Sequence, residues 1–116
     1  MDYANLASMF APQSIALVGA SERAGSVGAM VYAKLLGRYS GELFPVNPGH
    51  KTLGGKKCFA SVRDLPLAAD LAMIATRAEQ MPAIMQACAD RGIKSVAILS
   101  TPSVTQSERE QVFLAQ

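Results

Sequence analysis

The sequence lacks tryptophan, has few aromatic residues and carries little net charge. Of its 116 residues, 6% are aromatic, and the formal net charge is only +2. Single-stranded nucleic acid is usually bound on aromatic stacking platforms, and nucleic-acid surfaces in general are strongly basic. The composition therefore argues against nucleic acid as a partner.

Long apolar runs, a basic leader and a disulfide framework are missing as well. The longest apolar runs are about five residues, as at 71–75, far below the roughly 20 that cross a bilayer. The opening MDYANLASMF has an acidic residue and no basic one, unlike a secretory signal. Two cysteines, Cys58 and Cys88, are too few for a disulfide framework. We expect both to be reduced, in a cytoplasmic protein without a membrane segment, with Cys58 on an edge strand or the surface.

What the sequence does contain is an alternation of strand and helix patterns. Half of the residues are hydrophobic, which is enough for a packed core. Continuous apolar runs are typical of parallel strands that are covered on both faces, and a 3.6-residue period is typical of helices. The predicted strands are 15–18, 43–46, 57–59 (short, at the sheet edge), 71–75 and 96–99, and the predicted helices are 3–10, 26–38, 81–90 and one from about 107.

This alternation predicts the fold class. We expect a Rossmann-like, doubly wound α/β domain with a mostly parallel sheet, helices on both faces and the strand order 3-2-1-4-5. Ligands of such sheets bind at the carboxyl ends of the strands, where the winding direction reverses.

The segment SIALVGASERAGSVG, residues 14–28, is the strongest functional signal. A strand runs into a turn rich in glycine and serine, and a helix begins there. Backbone N–H groups and a helix N-terminus then face one place, where a phosphate ester can bind. The match to the dinucleotide fingerprint G-x-G-x-x-G is weak, because Ser21 replaces the second glycine and the loop is longer before Gly25.

The residues at the end of the second strand narrow the choice of ligand class. NAD-binding domains usually place a carboxylate there for the ribose hydroxyls, but this chain has Val46-Asn47-Pro48 and no carboxylate between Glu42 and Asp64. The segment is basic instead, with His50, Lys51, Lys56 and Lys57. Ammonium groups attract a phosphorylated ribose. Coenzyme A and NADP both carry such a ribose, so both remain open on this evidence.

The blocks SIALVGAS, GSVG, LFPVNP, DLAMIAT and DRGIKSVAILS, taken in this order and spacing, resemble the CoA-binding domain of NDP-forming acyl-CoA synthetases. The same domain opens the alpha subunit of succinyl-CoA synthetase. The resemblance covers the chain from about Leu6 onward.

The resemblance implies that residues 1–116 form a CoA- or acyl-CoA-binding domain at the N-terminus of a larger acid–thiol ligase. The catalytic phosphohistidine and the ATP-grasp unit would lie in further domains of the same or a partner chain, and a homo-oligomer is possible. The fragment itself would be non-catalytic and metal-free, and its fold would be truncated before the last strand.

The resemblance also implies a role for each site residue. The first loop would hold the CoA phosphates, and the end of the second strand would shape the adenosine side, with Lys51 near the ribose phosphate. The later segments would line the opposite wall and the path of the pantetheine arm. The residues of the first loop are Gly19, Ala20, Ser21, Ser26, Val27 and Gly28, and those on the adenosine side are Pro45, Asn47, Pro48 and Lys51. The opposite wall would be lined by Ala75, Thr76 and Arg77, and the pantetheine arm would pass Ser100 and Thr101.

Two other functions are compatible with the sequence. One is a regulatory domain that senses CoA or acyl-CoA, either in a protein acetyltransferase fusion or as a stand-alone CoA-binding protein. Ser100-Thr101-Pro102 resembles the variant found in that fusion. The other is the NADP-binding domain of an oxidoreductase.

Overall fold

The computed structural model describes residues 11–99. The predicted helices at 3–10 and beyond 107, as well as Ser100 and Thr101, lie outside this range. Single 3-10 turns occupy Val62–Asp64 and Ala78–Gln80. The remaining elements are β1 (Ser14–Val18), α1 (Val27–Arg38), β2 (Glu42–Val46), β3 (Thr52–Leu53), β4 (Lys56–Lys57), β5 (Leu71–Ile74), α2 (Met81–Arg91) and β6 (Ser95–Ile98).

The main sheet is parallel and has β1 near its centre. Its strand order is β2-β1-β5-β6, and Ile15 of β1 is in register with Leu43 on one side and Leu71 on the other. The chain first winds to one side of β1 and then crosses to the other. This confirms the Rossmann-like, doubly wound fold, with the reversal point between β1 and β5.

The predicted third strand is mostly wrong. Phe59 does lie at the outer edge of β2, but it makes only one parallel bridge, to Val46. Lys57 belongs instead to β4, which pairs antiparallel with β3 in a small hairpin. Gly54 and Gly55 form its turn with φ of 56° and 80°, a conformation that glycine adopts freely. The chain therefore folds back before it extends along β2.

The helices cover both faces of the sheet, as predicted. Alternate side chains of β1 point to opposite faces, so that Ile15 and Leu17 join Tyr32 of α1 in one core cluster. Ala16 and Val18 join Cys88 of α2 in the other. Helix α2 ends at Gly92, which is left-handed with φ of 81°, as expected from the Arg-Gly stop.

Cys58 was predicted on an edge strand or at the surface, but it follows directly after β4 and is buried. Its exposed fraction is 6%, and its Sγ donates to the Asn47 carbonyl oxygen at 3.5 Å. Burial raises the pKa of the Cys58 thiol and that of Cys88, which keeps both protonated and poorly nucleophilic at neutral pH.

Between residues 11 and 99 no helix combines the length and hydropathy needed to traverse a bilayer.

Candidate functional site

The ends of three strands meet at Gly19. Its N–H donates to the Val46 carbonyl at the end of β2, at 2.8 Å, and the Ala75 N–H donates to the Val18 carbonyl, also at 2.8 Å. Gly19 has φ of 91°, and a Cβ on it would lie 2.5 Å from the Ala75 carbonyl oxygen. Only glycine allows the three strand ends to approach this closely.

The first turn of α1 also contacts Gly19. A Cβ on Gly28 would lie 2.0 Å from the Gly19 carbonyl oxygen, so the helix starts in backbone contact with the strand end. Ser26 caps the helix by accepting from the Ala29 N–H at 3.1 Å. The predicted strand–turn–helix arrangement is therefore present, with Val27 as the first residue of the helix.

The two serine hydroxyls of the loop are engaged within the loop. Ser26 Oγ donates to the Arg23 carbonyl at 2.9 Å, in addition to its capping bond. Ser21 Oγ accepts from the Arg23 N–H at 2.9 Å. In this structure both serines hold the shape of the loop, but Ser21 Oγ acts there as an acceptor, so its hydroxyl can still donate to a ligand beside the backbone N–H groups.

Asn47 joins the loop to the end of β2. Its Nδ2 donates to the Ala20 carbonyl oxygen at 2.9 Å, and its Oδ1 accepts from the Gly49 N–H at 2.8 Å. Its own N–H donates to the Phe59 carbonyl at 2.8 Å. Three chain segments at the sheet edge are thus tied together by one residue.

A cavity of about 800 Å³ opens at the carboxyl ends of the strands. Four predicted site residues line it: Gly19, Asn47, Pro48 and Thr76. The other lining residues come from the ends of β1 and β2, from the segment at 60–63 and from the region around the start of α2. They are Val18, Val46, Ala60, Ser61, Val62, Arg63, Glu79, Gln80, Ala83, Ile84 and Ala87.

Thr76 carries an unsatisfied hydroxyl in this cavity. Within residues 11–99, its Oγ1 is the buried side-chain oxygen or nitrogen that has no hydrogen-bond partner. Buried polar atoms are normally paired, and leaving one unpaired costs free energy. Thr76 lines the cavity, but its Oγ1 has almost no exposed surface, so a rotation of the side chain would have to turn the hydroxyl toward a ligand.

Other predicted site residues lie apart from the cavity. Lys51 is exposed in the segment that leads into β3. Arg77 is exposed and precedes the 3-10 turn Ala78–Gln80. Ala20 is fully buried, and Pro45 is fully buried within β2, paired with Leu17 of β1. Pro45 is therefore part of the sheet and does not line the cavity.

The fold and this geometry define a class. A parallel sheet with a glycine-tight strand–helix turn and a cavity at its carboxyl edge is a nucleotide-binding α/β domain. The chain belongs to the CoA-binding domain family, whose family model matches residues 13–115.

Curated relatives are ADP-forming CoA ligases. An ADP-forming acetate–CoA ligase (II) from Archaeoglobus fulgidus is 34% identical over 106 residues, which cover 90% of this chain and 16% of that protein. An ADP-forming 4-hydroxybutyrate–CoA ligase from Nitrosopumilus maritimus is 34% identical over 92 residues, which cover 79% of this chain and 13% of that protein. The chain thus spans less than one fifth of either relative.

A solved structure shares the fold. The dinucleotide-forming acetyl-coenzyme A synthetase 1 of Candidatus Korarchaeum cryptofilum, in complex with phosphate and ADP, superimposes with a TM-score of 0.80 at 28% identity. The match covers 97% of this chain and 25% of that one. The expected resemblance to NDP-forming acyl-CoA synthetases is confirmed.

Proposed function

We propose that this domain binds the nucleotide end of CoA at the loop 19–28 and in the adjoining cavity. The observation that carries the proposal is the meeting of Gly19, Gly28, Asn47 and Thr76 at the carboxyl edge of the sheet. Loop N–H groups and the N-terminus of α1 take the phosphates. The buried Thr76 hydroxyl supplies a hydrogen bond inside the cavity.

Calorimetric titration with CoA and with NADPH tests this proposal. Both ligands carry a phosphorylated ribose, and the second strand ends without the carboxylate that favours NAD. We expect CoA to bind and NADPH to give no heat of binding. Tight binding of NADPH together with no response to CoA would reject the proposal.

A substitution of Lys51 tests where the ribose phosphate binds. The exposed ammonium group follows the Asn47-Pro48-Gly49 turn and attracts that phosphate, whereas a carboxylate repels it. We expect Lys51→Glu to weaken CoA binding about tenfold, from about 1.4 kcal/mol of lost attraction, and to affect dephospho-CoA much less. Calorimetry with both ligands measures the difference. The exposed Lys34→Glu on α1 is the matched control, and equal losses for both ligands in Lys51→Glu would remove Lys51 from the phosphate site.

Thr76→Val separates the stability of the domain from its affinity. Valine has nearly the same shape and removes a buried hydroxyl that lacks a partner, so we expect the ligand-free domain to gain about 1 kcal/mol of stability. If the hydroxyl bonds the ligand, CoA affinity falls severalfold in the same variant. The temperature of thermal unfolding should therefore rise, while the CoA affinity measured by calorimetry falls. An unchanged affinity would take Thr76 out of the site.

For the whole protein we propose an ADP-forming acyl-CoA ligase of the cytoplasm. In such an enzyme this domain performs no chemistry and anchors the nucleotide, so that the thiol reaches a neighbouring domain. The ADP-forming ligases among its relatives support this role. The full-length gene product should form ATP from acetyl-CoA or another acyl-CoA with ADP and phosphate. Absence of this activity across short acyl-CoA substrates, with CoA binding intact, would favour a regulatory CoA-sensing domain.

A further inference from the structure

Arg63 lines the cavity, although no sequence motif includes it. It lies in the 3-10 turn Val62–Asp64, and its Nη1 donates to Asp90 Oδ2 of α2 at 2.7 Å. The other carboxylate oxygen, Oδ1, accepts from Gln86 Nε2 at 2.9 Å. The hydrogen bonds from Gln86 and Arg63 lower the pKa of the Asp90 carboxyl, which stays ionised and holds the guanidinium.

The turn that carries Arg63 is itself fixed against the rest of the domain. Val62 is buried in the core cluster below the cavity, and the Arg63 N–H donates to Ser61 Oγ at 3.2 Å. Arg91 of α2 donates to the Leu65 carbonyl just after the turn, at 2.9 Å. The backbone below Arg63 and the carboxylate beside it are therefore both set before a ligand arrives. Such an ion pair between half-exposed groups adds little stability, but it orients the guanidinium.

The charges around the cavity decide which part of CoA suits it. Among the residues that line it, Arg63 and Glu79 carry opposite charges, and Asp90 further compensates Arg63. A phosphate would gain little from this neutral set of groups. Apolar side chains such as Val46 and Ile84 make up much of the remaining wall, which favours a flat, uncharged ring.

We propose that Arg63 is the platform on which the adenine ring of CoA stacks, and that Asp90 is the positioning residue that holds this platform. The inference rests on the proposed function, because it places one part of the same ligand. A guanidinium is planar and stacks in parallel on aromatic faces, whereas an ammonium offers only a point charge to the ring. Arg63 then recognises the base, while the loop 19–28 and Lys51 bind the phosphates.

Arg63→Lys is the decisive variant, because it keeps the positive charge and removes the planar guanidinium group. We expect the affinities for CoA and dephospho-CoA to fall by the same factor, roughly tenfold, with unchanged thermal unfolding. Arg38→Lys, at the exposed end of α1, is the control and should bind both ligands as wild type does. If Arg63→Lys binds CoA normally, or loses only the preference for CoA over dephospho-CoA, Arg63 is no stacking platform.

Asp90→Asn tests whether Asp90 positions Arg63, because the direction of the change in CoA affinity separates stacking on the base from attraction of a phosphate. Without the carboxylate the guanidinium loses its fixed orientation, so we expect a severalfold loss for both ligands. Nuclear Overhauser effects between adenine H2 or H8 and the Arg63 side chain, expected in the wild type, should weaken as well. A gain in CoA affinity relative to dephospho-CoA would show Arg63 acting on phosphate and would overturn the inference.

The two proposals fail in different ways. A wild-type protein that does not bind CoA removes both. A wild-type protein that binds CoA, with Arg63→Lys indistinguishable from it, removes only the stacking platform.

Discussion

Gly28→Ala is expected to abolish measurable CoA binding and to destabilise the domain by about 3 kcal/mol or more. The added Cβ would lie 2.0 Å from the Gly19 carbonyl oxygen and 3.1 Å from its carbon. Both are backbone atoms next to the end of β1, so no side-chain rotation relieves the overlap. Either α1 tilts away from the sheet or the loop moves. Both movements pull the helix N-terminus away from the phosphate site.

Gly37→Ala in the same helix is the matched control. A Cβ on Gly37 meets nothing within 4 Å, and alanine is the better helix former, so this variant should gain about 0.5–1 kcal/mol. Thermal unfolding followed by circular dichroism and calorimetry with CoA measure both effects. A Gly28→Ala protein that melts and binds like wild type would mean that the contact between loop and helix is not required.

Asn47→Ala is expected to have the second largest effect. It removes the hydrogen bonds to the Ala20 carbonyl and from the Gly49 N–H, leaving the first unpaired in a partly buried place and the second exposed to water. We expect a loss of about 2 kcal/mol of stability. CoA affinity should fall by more than tenfold, because the phosphate loop and the turn before Lys51 are no longer held together.

Asn47→Asp separates the two bonds. The carboxylate still accepts from the Gly49 N–H but faces the Ala20 carbonyl without a donor. We expect little of the stability to return relative to Asn47→Ala, because the regained bond to the exposed Gly49 N–H is weak and the carboxylate repels the Ala20 carbonyl oxygen. CoA affinity should stay low, because a negative charge now stands beside the loop 19–28. Wild-type affinity in Asn47→Ala would show that the link between loop and turn has no part in binding.

Local sequence patterns predicted most of the fold. The strands were recognisable because parallel strands covered on both faces are mostly continuous apolar runs, as residues 15–18 are. Helix α2 was bounded by Pro82 in its first turn and Gly92 after its last. The hairpin of β3 and β4 was missed, although Gly54-Gly55 between two short segments is a recognised hairpin signal.

The strand–turn–helix part of the candidate site was predicted from the local sequence. Gly19 and Gly28 were identified from the glycine- and serine-rich turn after the first strand and from the family resemblance, and the structure shows that they lie in close backbone contact. Arg63 and Glu79 were not, because only the packing of a 3-10 turn against α2 and of the turn before α2 brings them to one cavity. The family resemblance placed Pro45 among the residues that shape the adenosine side, but its burial and its pairing with β1 place it inside the sheet.

The division of β1 between two core clusters has an evolutionary consequence. The cluster with Tyr32 lies on the α1 face, whereas the cavity borders the cluster with Cys88 on the α2 face. Mutations on the Tyr32 side, away from Ala20 and the first turn of α1, can raise or lower the free energy of folding while the cavity keeps its lining. A lineage of this domain can therefore adapt to a new growth temperature through residues that do not line the cavity.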